Sequence, residues 1–246
     1  TGECTYEDVR INCEDSGQYC NSGTCQPFDP CTGILCEEPP APECSAGIAI
    51  SFDVGVCNSG ECNYQPRETD CVNDGLVCSD GICVAPLSSG ALIVTEIMNN
   101  PSVVSDGPGE WFEVTNPTDT PVDLTGLIVR NEVGAFFTVL LSTRLDPDEF
   151  IVFGGSPNET INGGVAVDFN WSSSLFSLNN DEGGIILSSP TGDIVDRVFW
   201  DDGVTFPDVE GASMSLQPSV STETGNDNGS LWCQGLSSFG LGDYGS

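Results

Sequence analysis

The 246-residue chain has no histidine and no lysine, and its five basic residues are the arginines Arg10, Arg67, Arg130, Arg144 and Arg197. The first absence removes the usual general base of Ser-His-Asp and Cys-His chemistry. The second removes a lysine base or Schiff-base amine. With 38 acidic residues the formal net charge is -33. Nucleic acids and anionic membrane surfaces, which bind through Lys and Arg, should repel such a chain. Its natural counter-ions are cations, and salt would shorten the range of its self-repulsion. Long apolar runs are missing too: the longest candidates, GIAISF and FIVFGG, fall far short of the roughly 20 residues a membrane-spanning helix needs. Together these absences predict a non-enzymatic protein without a membrane span.

Cysteine is abundant but confined. Of 13 cysteines, all but Cys233 lie from Cys4 to Cys83, which predicts a cysteine-rich region over residues 1–86, a Pro/Ser/Gly linker at 87–91 and a second domain over 92–246. The first region is too polar to form a core alone and needs cross-links. The hexamer CNSGTC (20–25) returns as CNSGEC (57–62) and CSDGIC (78–83), and the longer stretch 13–25 matches 71–83 with its cysteines and glycines aligned. Glycine at a fixed place in each loop suggests a positive φ and a tight turn between cross-linked points, so the repeats read as short hairpins.

Cys-x4-Cys spacing suits a zinc site as well as a disulfide framework. Cysteine at this density belongs to oxidising compartments, which favours disulfides, with Cys4, Cys13, Cys20, Cys25, Cys31, Cys36, Cys44, Cys57, Cys62, Cys71, Cys78 and Cys83 as the candidates. Spacing leaves their connectivity open. The prolines Pro30, Pro39, Pro40 and Pro42 favour extended and turn backbone between them, giving the picture of a stapled stalk. The sequence opens TGEC, without Met or an apolar leader, as expected of a mature secreted product. The expected location is extracellular or at the cell surface.

Beyond the linker the grammar changes to short runs such as LIVTEIM, WFEVTN, EFIVFGG, GGIILSS and DIVDRVFW, bounded by Gly, Pro, Asn or Asp. Such runs without an amphipathic helical stretch between them predict an all-β sandwich or barrel. The expected inward residues are Ile93, Ile97, Phe112, Val114, Leu127, Val129, Phe150, Val152, Ile186, Val198 and Trp200. The succession LIVTEIMNNP, GEWFEVTNPTDTPVDLTGLIVRN, LDPDEFIVFGG, DIVDRVFW, FPDVEGASMSLQP and NDNGSLWC resembles the lamin-tail domain family in its secreted bacterial form, over about 92–246. The resemblance implies an immunoglobulin-like β-sandwich serving as a structural or interaction module, with no catalytic residues to carry over. Relatives with a Trp-Cys near this end usually reach a second cysteine, so the resemblance leaves Cys233 unpaired within the domain, as a buried thiol, an interdomain partner or an intermolecular link.

Several smaller features complete the reading. Asp15-Ser16-Gly17 resembles an aspartic-protease loop, but its place in a cysteine hairpin makes it a turn. Paired carboxylates can hydrolyse glycosides, which draws attention to Glu96, Glu110 and Glu113. Asp181 and Glu182, and Asn226, Asp227 and Asn228, lie on Gly-bearing Asx-rich turns whose oxygens suit calcium, the one cofactor the sequence suggests, although neither fits an EF-hand loop. Asn158, Asn170 and Asn228 begin N-glycosylation sequons. Trp111, Trp171, Trp200 and Trp232 would be platforms for polysaccharide or partners if exposed, and core if not. The function expected is a secreted structural subunit that self-associates through an open sheet edge, with a polysaccharide- or protein-tethering module as the alternative.

Overall fold

The computed structural model describes residues 12–14, 17–27, 29–238 and 242–245. It divides into two compact units: residues up to 69 with 80–82, and residues 70–79 with 83 onward. The division thus falls earlier in the sequence than the Pro/Ser/Gly linker. Among the described residues no helix is long and apolar enough to cross a membrane.

In the first unit β1 (Gln18–Asn21) pairs with β2 (Thr24–Pro27). A three-stranded sheet holds β3 (Glu43–Ser45), β4 (Ile48–Phe52) and β7 (Pro66–Asp70), and β5 (Val56–Asn58) pairs with β6 (Glu61–Asn63). The third hexamer supplies β8 (Val77–Ser79), which belongs to the second unit, and β9 (Ile82–Val84), of which residues from 83 belong to the second unit. Each hexamer is a hairpin turning on two residues of positive φ: Ser22 and Gly23 at 50° and 80°, Ser59 and Gly60 at 55° and 91°, Asp80 and Gly81 at 46° and 76°. Positive φ at both central positions matches the right-handed twist of the strands. The glycine was expected to take that conformation. The Ser or Asp before it takes it as well, and a short polar side chain tolerates that region best after glycine.

The second unit runs β10 (Ile93–Met98), a single-turn helix α1 (Asp106–Gly109), β11 (Trp111–Thr115), β12 (Val122–Asp123), β13 (Ile128–Asn131), β14 (Phe136–Thr138), β15 (Arg144–Leu145) and β16 (Phe150–Gly154). It continues with a second single-turn helix α2 (Glu159–Asn162), β17 (Phe169–Asn170), β18 (Glu182–Ser188), β19 (Ile194–Asp201), β20 (Met214–Leu216), β21 (Trp232–Gln234), β22 (Ser237–Ser238) and β23 (Tyr244–Gly245). One six-stranded sheet has the order β17-β16-β11-β10-β20-β21, and one four-stranded sheet the order β14-β13-β18-β19. Both contribute to a single buried cluster that includes Ile97, Phe112, Val114 and Phe153 from the first sheet and Val129, Ile185, Leu187 and Val198 from the second. At fully buried Leu or Phe this contributes about 1.5–3 kcal/mol per side chain relative to exposure. Aromatic rings fill part of the core, with Phe112 stacked on Phe153 at 5.0 Å and on Trp171 at 5.7 Å between centroids.

Three of the expected inward residues are placed otherwise. Phe150 is exposed and Val152 and Ile186 half-buried, while Ile151, Phe153, Ile185 and Leu187 face the core. An uninterrupted apolar run carries no alternation, so register is set by partners: Phe153 lies opposite Phe112, and Leu187 opposite Val129. The two glycines that begin GGIILSS leave room for the rings across from them, because a Cβ on Gly183 or Gly184 would collide with Trp200 or Phe199 respectively.

Candidate functional sites

The cysteines were expected in disulfides, and most of those described are. Cys13 is bonded to Cys25, Cys31 to Cys57, Cys36 to Cys62 and Cys71 to Cys83, and Cys44 and Cys78 are also disulfide-bonded. Among the described residues no group of three or more acidic, Cys or His side chains could hold a metal ion. The hairpins follow a rule the spacing did not reveal. Cys20 lies directly opposite Cys25, and Cys57 opposite Cys62, yet bonds leave Cys25, Cys57 and Cys62 for cysteines outside their own hairpin. Cys20 is the departure: its thiol is free and exposed, as is that of Cys233 on β21. Cys4 and the Asp15-Ser16 part of the Asp-Ser-Gly stretch lie outside the described residues.

The segment TNPTDTPVDLTG owes its character to buried polar side chains that organise turns. Asn116 is fully buried, and its Nδ2 donates to the carbonyls of Thr120 at 2.9 Å and Leu145 at 3.0 Å. Its Oδ1 accepts from the Thr118 amide at 3.0 Å and hydroxyl at 2.7 Å. Asp123 does the same for the next turn, accepting from the Thr125 amide at 2.8 Å. A buried amide with all four bonding capacities used is a structural fixture. Asn131, also buried, donates to Ser177 O at 3.0 Å and accepts from the Ala135 amide at 2.8 Å.

The three carboxylates divide. Glu96 and Glu113 stand opposite each other on β10 and β11. Glu96 is buried and accepts from the Ser213 hydroxyl, while Glu113 accepts from the Thr95 hydroxyl at 2.6 Å. Burial raises Glu113 above the usual carboxylate range against that hydrogen bond, and the Glu96 charge adds to the rise. Glu110 is apart from this pair, buried and accepting from the Leu178 amide at 2.9 Å. Burial pushes it up to about 8, with the Leu178 bond opposing and Asp106 adding repulsion. Glu113 lines an open cavity of about 440 Å³ together with Thr95, Thr115, Asp148, Phe150 and Gln217.

The two calcium segments do not converge. Glu182 pairs with Asp201, whereas Asn226 bonds Asp196, which pairs with Leu187 further along β18. Asp181 and Glu182 are exposed, and the Asp181 amide donates to Asn179 Oδ1 at 3.1 Å in an Asx turn. Asn228 is a helix cap, accepting from the Ser230 amide at 3.2 Å. Asn226 is fully buried, and Asp227 is exposed beside it. The sequon residues Asn158, Asn170 and Asn228 are exposed, and Asn158 caps α2 by accepting from the Thr160 amide at 3.1 Å. All four tryptophans are buried, so the core reading holds and none is a surface platform.

These sites and strands define a disulfide-rich, mainly β protein with an immunoglobulin-like domain. Residues 85–202 match the model of the Lamin Tail Domain family. The six-stranded sheet extends past that stretch, because β20 and β21 add to β10 beyond the matched residues. Among curated proteins none matches the chain. Domains of this family are often structural or binding modules, and the disulfides suit an oxidising environment.

Proposed function

We propose that this protein is a non-enzymatic secreted structural protein, a subunit of a cell-surface or extracellular assembly built by sheet-edge contacts. The observation that carries the reading is β19. It is the longest strand among the described residues, forms the outer edge of the four-stranded sheet and is paired only with β18. The chain itself takes up part of this edge, the Gly90 amide donating to the Val195 carbonyl at 2.9 Å, and the remainder, with exposed Ile194 and Phe199, offers backbone donors and acceptors to a neighbouring strand. The exposed thiols of Cys20 and Cys233 could lock such contacts, and the high negative charge would make approach depend on salt or divalent cations. The test is light scattering of the purified chain across concentration, salt and calcium. A mass that rises with concentration and falls on Phe199→Lys is the expected result; a monomer under every condition ends the assembly reading.

A second reading rests on the open cavity beside Glu113. Phe150, 56% exposed, is an aromatic surface with polar groups around it, as a polysaccharide or peptide site requires. In this reading the domain tethers a separate hydrolase to its substrate. Binding on a glycan array that disappears with Phe150→Ala would favour it over assembly.

A further inference from the structure

The pairing of β18 with β19 shifts register between Leu187 and Ser188 and leaves Val195 as an extra residue. The bulge turns Val195 and Asp196 inward together, so that Arg197 and Phe199 face out. Arg197 lies opposite Ile186, Ile186 opposite Arg130 and Arg130 opposite Phe136, and these side chains form one row across the outer face of the four-stranded sheet. Phe136 is 57% exposed and Phe199 45%. The Arg130 guanidinium lies over the Phe136 ring, 5.7 Å from its centroid. Arg67 is paired with Asp53 and Arg144 with Asp146, whereas among the described residues Arg130 and Arg197 have no ion pair. Glu132, two residues beyond Arg130, accepts from the Gly184 amide at 3.2 Å, and Arg197 shares a cavity with Glu223 and Asp227 without pairing to either. Two such arginines among exposed aromatic rings, in a chain of net charge -33, have the composition of an interface.

The outer face of the six-stranded sheet is the complement. Ile93, Thr115 and Phe150 lie opposite one another in one row at the open cavity of about 440 Å³, whose charged residues are Glu113 and Asp148. An adjoining cavity that shares Asp148 and Phe150 adds Glu149, Asp168 and one basic residue, Arg144, already held by Asp146. We propose that these two outer faces dock on each other between copies of this chain, Arg130 and Arg197 of one copy meeting Glu113 and Asp148 of the next, with Phe136 and Phe199 packed about Phe150. The joint rests on the assembly reading above and adds to it a contact through faces alongside the β19 edge. Because different faces meet, each added copy presents a new free face, and the stack grows unless its rotation closes a ring. Moderate salt screens the repulsion between whole chains and favours the joint, while high salt also weakens the guanidinium–carboxylate attraction.

The test is sedimentation velocity of the full chain across concentration and sodium chloride, with iodoacetamide capping the exposed thiols. Wild type should gain mass with concentration. Arg197→Glu, altered at an exposed side chain, should stay monomeric over the same range. So should Phe150→Lys, which sets a cation where the arginines arrive. Mixed in equal amounts, the two variants should form a heterodimer of twice the chain mass that grows no further, because one keeps an intact acidic face and the other an intact arginine face. Near-UV circular dichroism should match wild type in both, and Glu113→Gln with Asp148→Asn replaces Phe150→Lys if that variant does not fold. A wild type that is monomeric under every condition ends the assembly reading and this joint together. Growth unchanged in either variant ends the joint alone and leaves the edge contact. Loss of growth without a heterodimer on mixing also overturns the joint, and places another acidic partner, a glycan included, on the arginines.

Discussion

The two units solve the same problem with different chemistry. Among the described residues from 12 to 69, only Cys13, Cys36 and Ala49 are buried apolar side chains, whereas the sandwich buries a continuous cluster from Ala91 to Trp232. The first unit cannot offset its chain entropy by packing, so sulfur carries the load: each bridge contributes about 2–4 kcal/mol, largely by restricting the unfolded chain. The sandwich needs no such help. The same contrast appears within the sulfur itself, where Cys13–Cys25 and Cys71–Cys83 both span a separation of 12 while Cys78 is oxidised and its counterpart Cys20 is free.

The largest expected effect comes from removing the sulfur. Reduction under native conditions should abolish amide-exchange protection through residues 17–69 and leave the strands of the sandwich protected, as followed by hydrogen exchange and mass spectrometry. Uniform loss across both units would erase the contrast. Without reductant, alkylation of the folded chain should label Cys20 and Cys233 and spare Cys78. Labelled Cys78, or protected Cys20, would break the comparison between the two repeats.

Next in size is damage to the packed core. Phe153→Ala removes a fully buried ring stacked on Phe112 at 5.0 Å and should cost the sandwich about 3–5 kcal/mol, read from chemical denaturation. The disulfide unit should keep its exchange protection in this variant, since its stability comes from elsewhere. A cost under about 1 kcal/mol would mean the aromatic cluster repacks freely.

Much of this architecture was legible in the sequence, and the missing parts share one cause. Short strands bounded by Gly, Pro, Asn and Asp identified the sandwich, and repeated glycines identified the hairpin turns, because both signals are local. The core faces of FIVF and GIIL, the disulfide partners and the burial of Asp196 depend on register between distant segments. Phe150 and Ile186 were assigned inward because alternation is undefined in a continuous apolar run. The bulge at Val195 leaves no mark in DIVDRVFW. Of the calcium segments, Asn226 was visible only as one Asx residue among several; its partner, 30 residues away, could not be read from spacing.

A pH effect of intermediate size separates the units again, because Glu110 sits in the sandwich. Its folded pKa of about 8 lies above the ordinary 4.5, so between these values the folded state holds a proton the unfolded state has lost. Glu110 therefore weighs least against folding below pH 4.5, and the sandwich should lose stability as pH rises from there through 8, by on the order of 3 kcal/mol. Glu110→Gln keeps an acceptor for the Leu178 amide and should flatten that slope in denaturation measured from pH 5 to 9. An unchanged slope would place the titrating group elsewhere.

The smallest predicted effect tests whether the sandwich depends on its local caps as well as its core. Asn158 accepts from the Thr160 amide at 3.1 Å and hydroxyl at 2.7 Å, and Gly163 closes the same helical turn with φ 91°. Asn158→Ala leaves that amide without its cap and should cost about 1 kcal/mol. Asn158→Asp, which retains the acceptor and adds charge at the helix start, should recover most of the loss at low total salt, less the repulsion from an already acidic chain. Thermal melts of the three proteins decide it: equal melting temperatures would show that α2 is held entirely by Asn162, whose Nδ2 bonds the carbonyls of Ser156 and Val165 at 2.9 Å each.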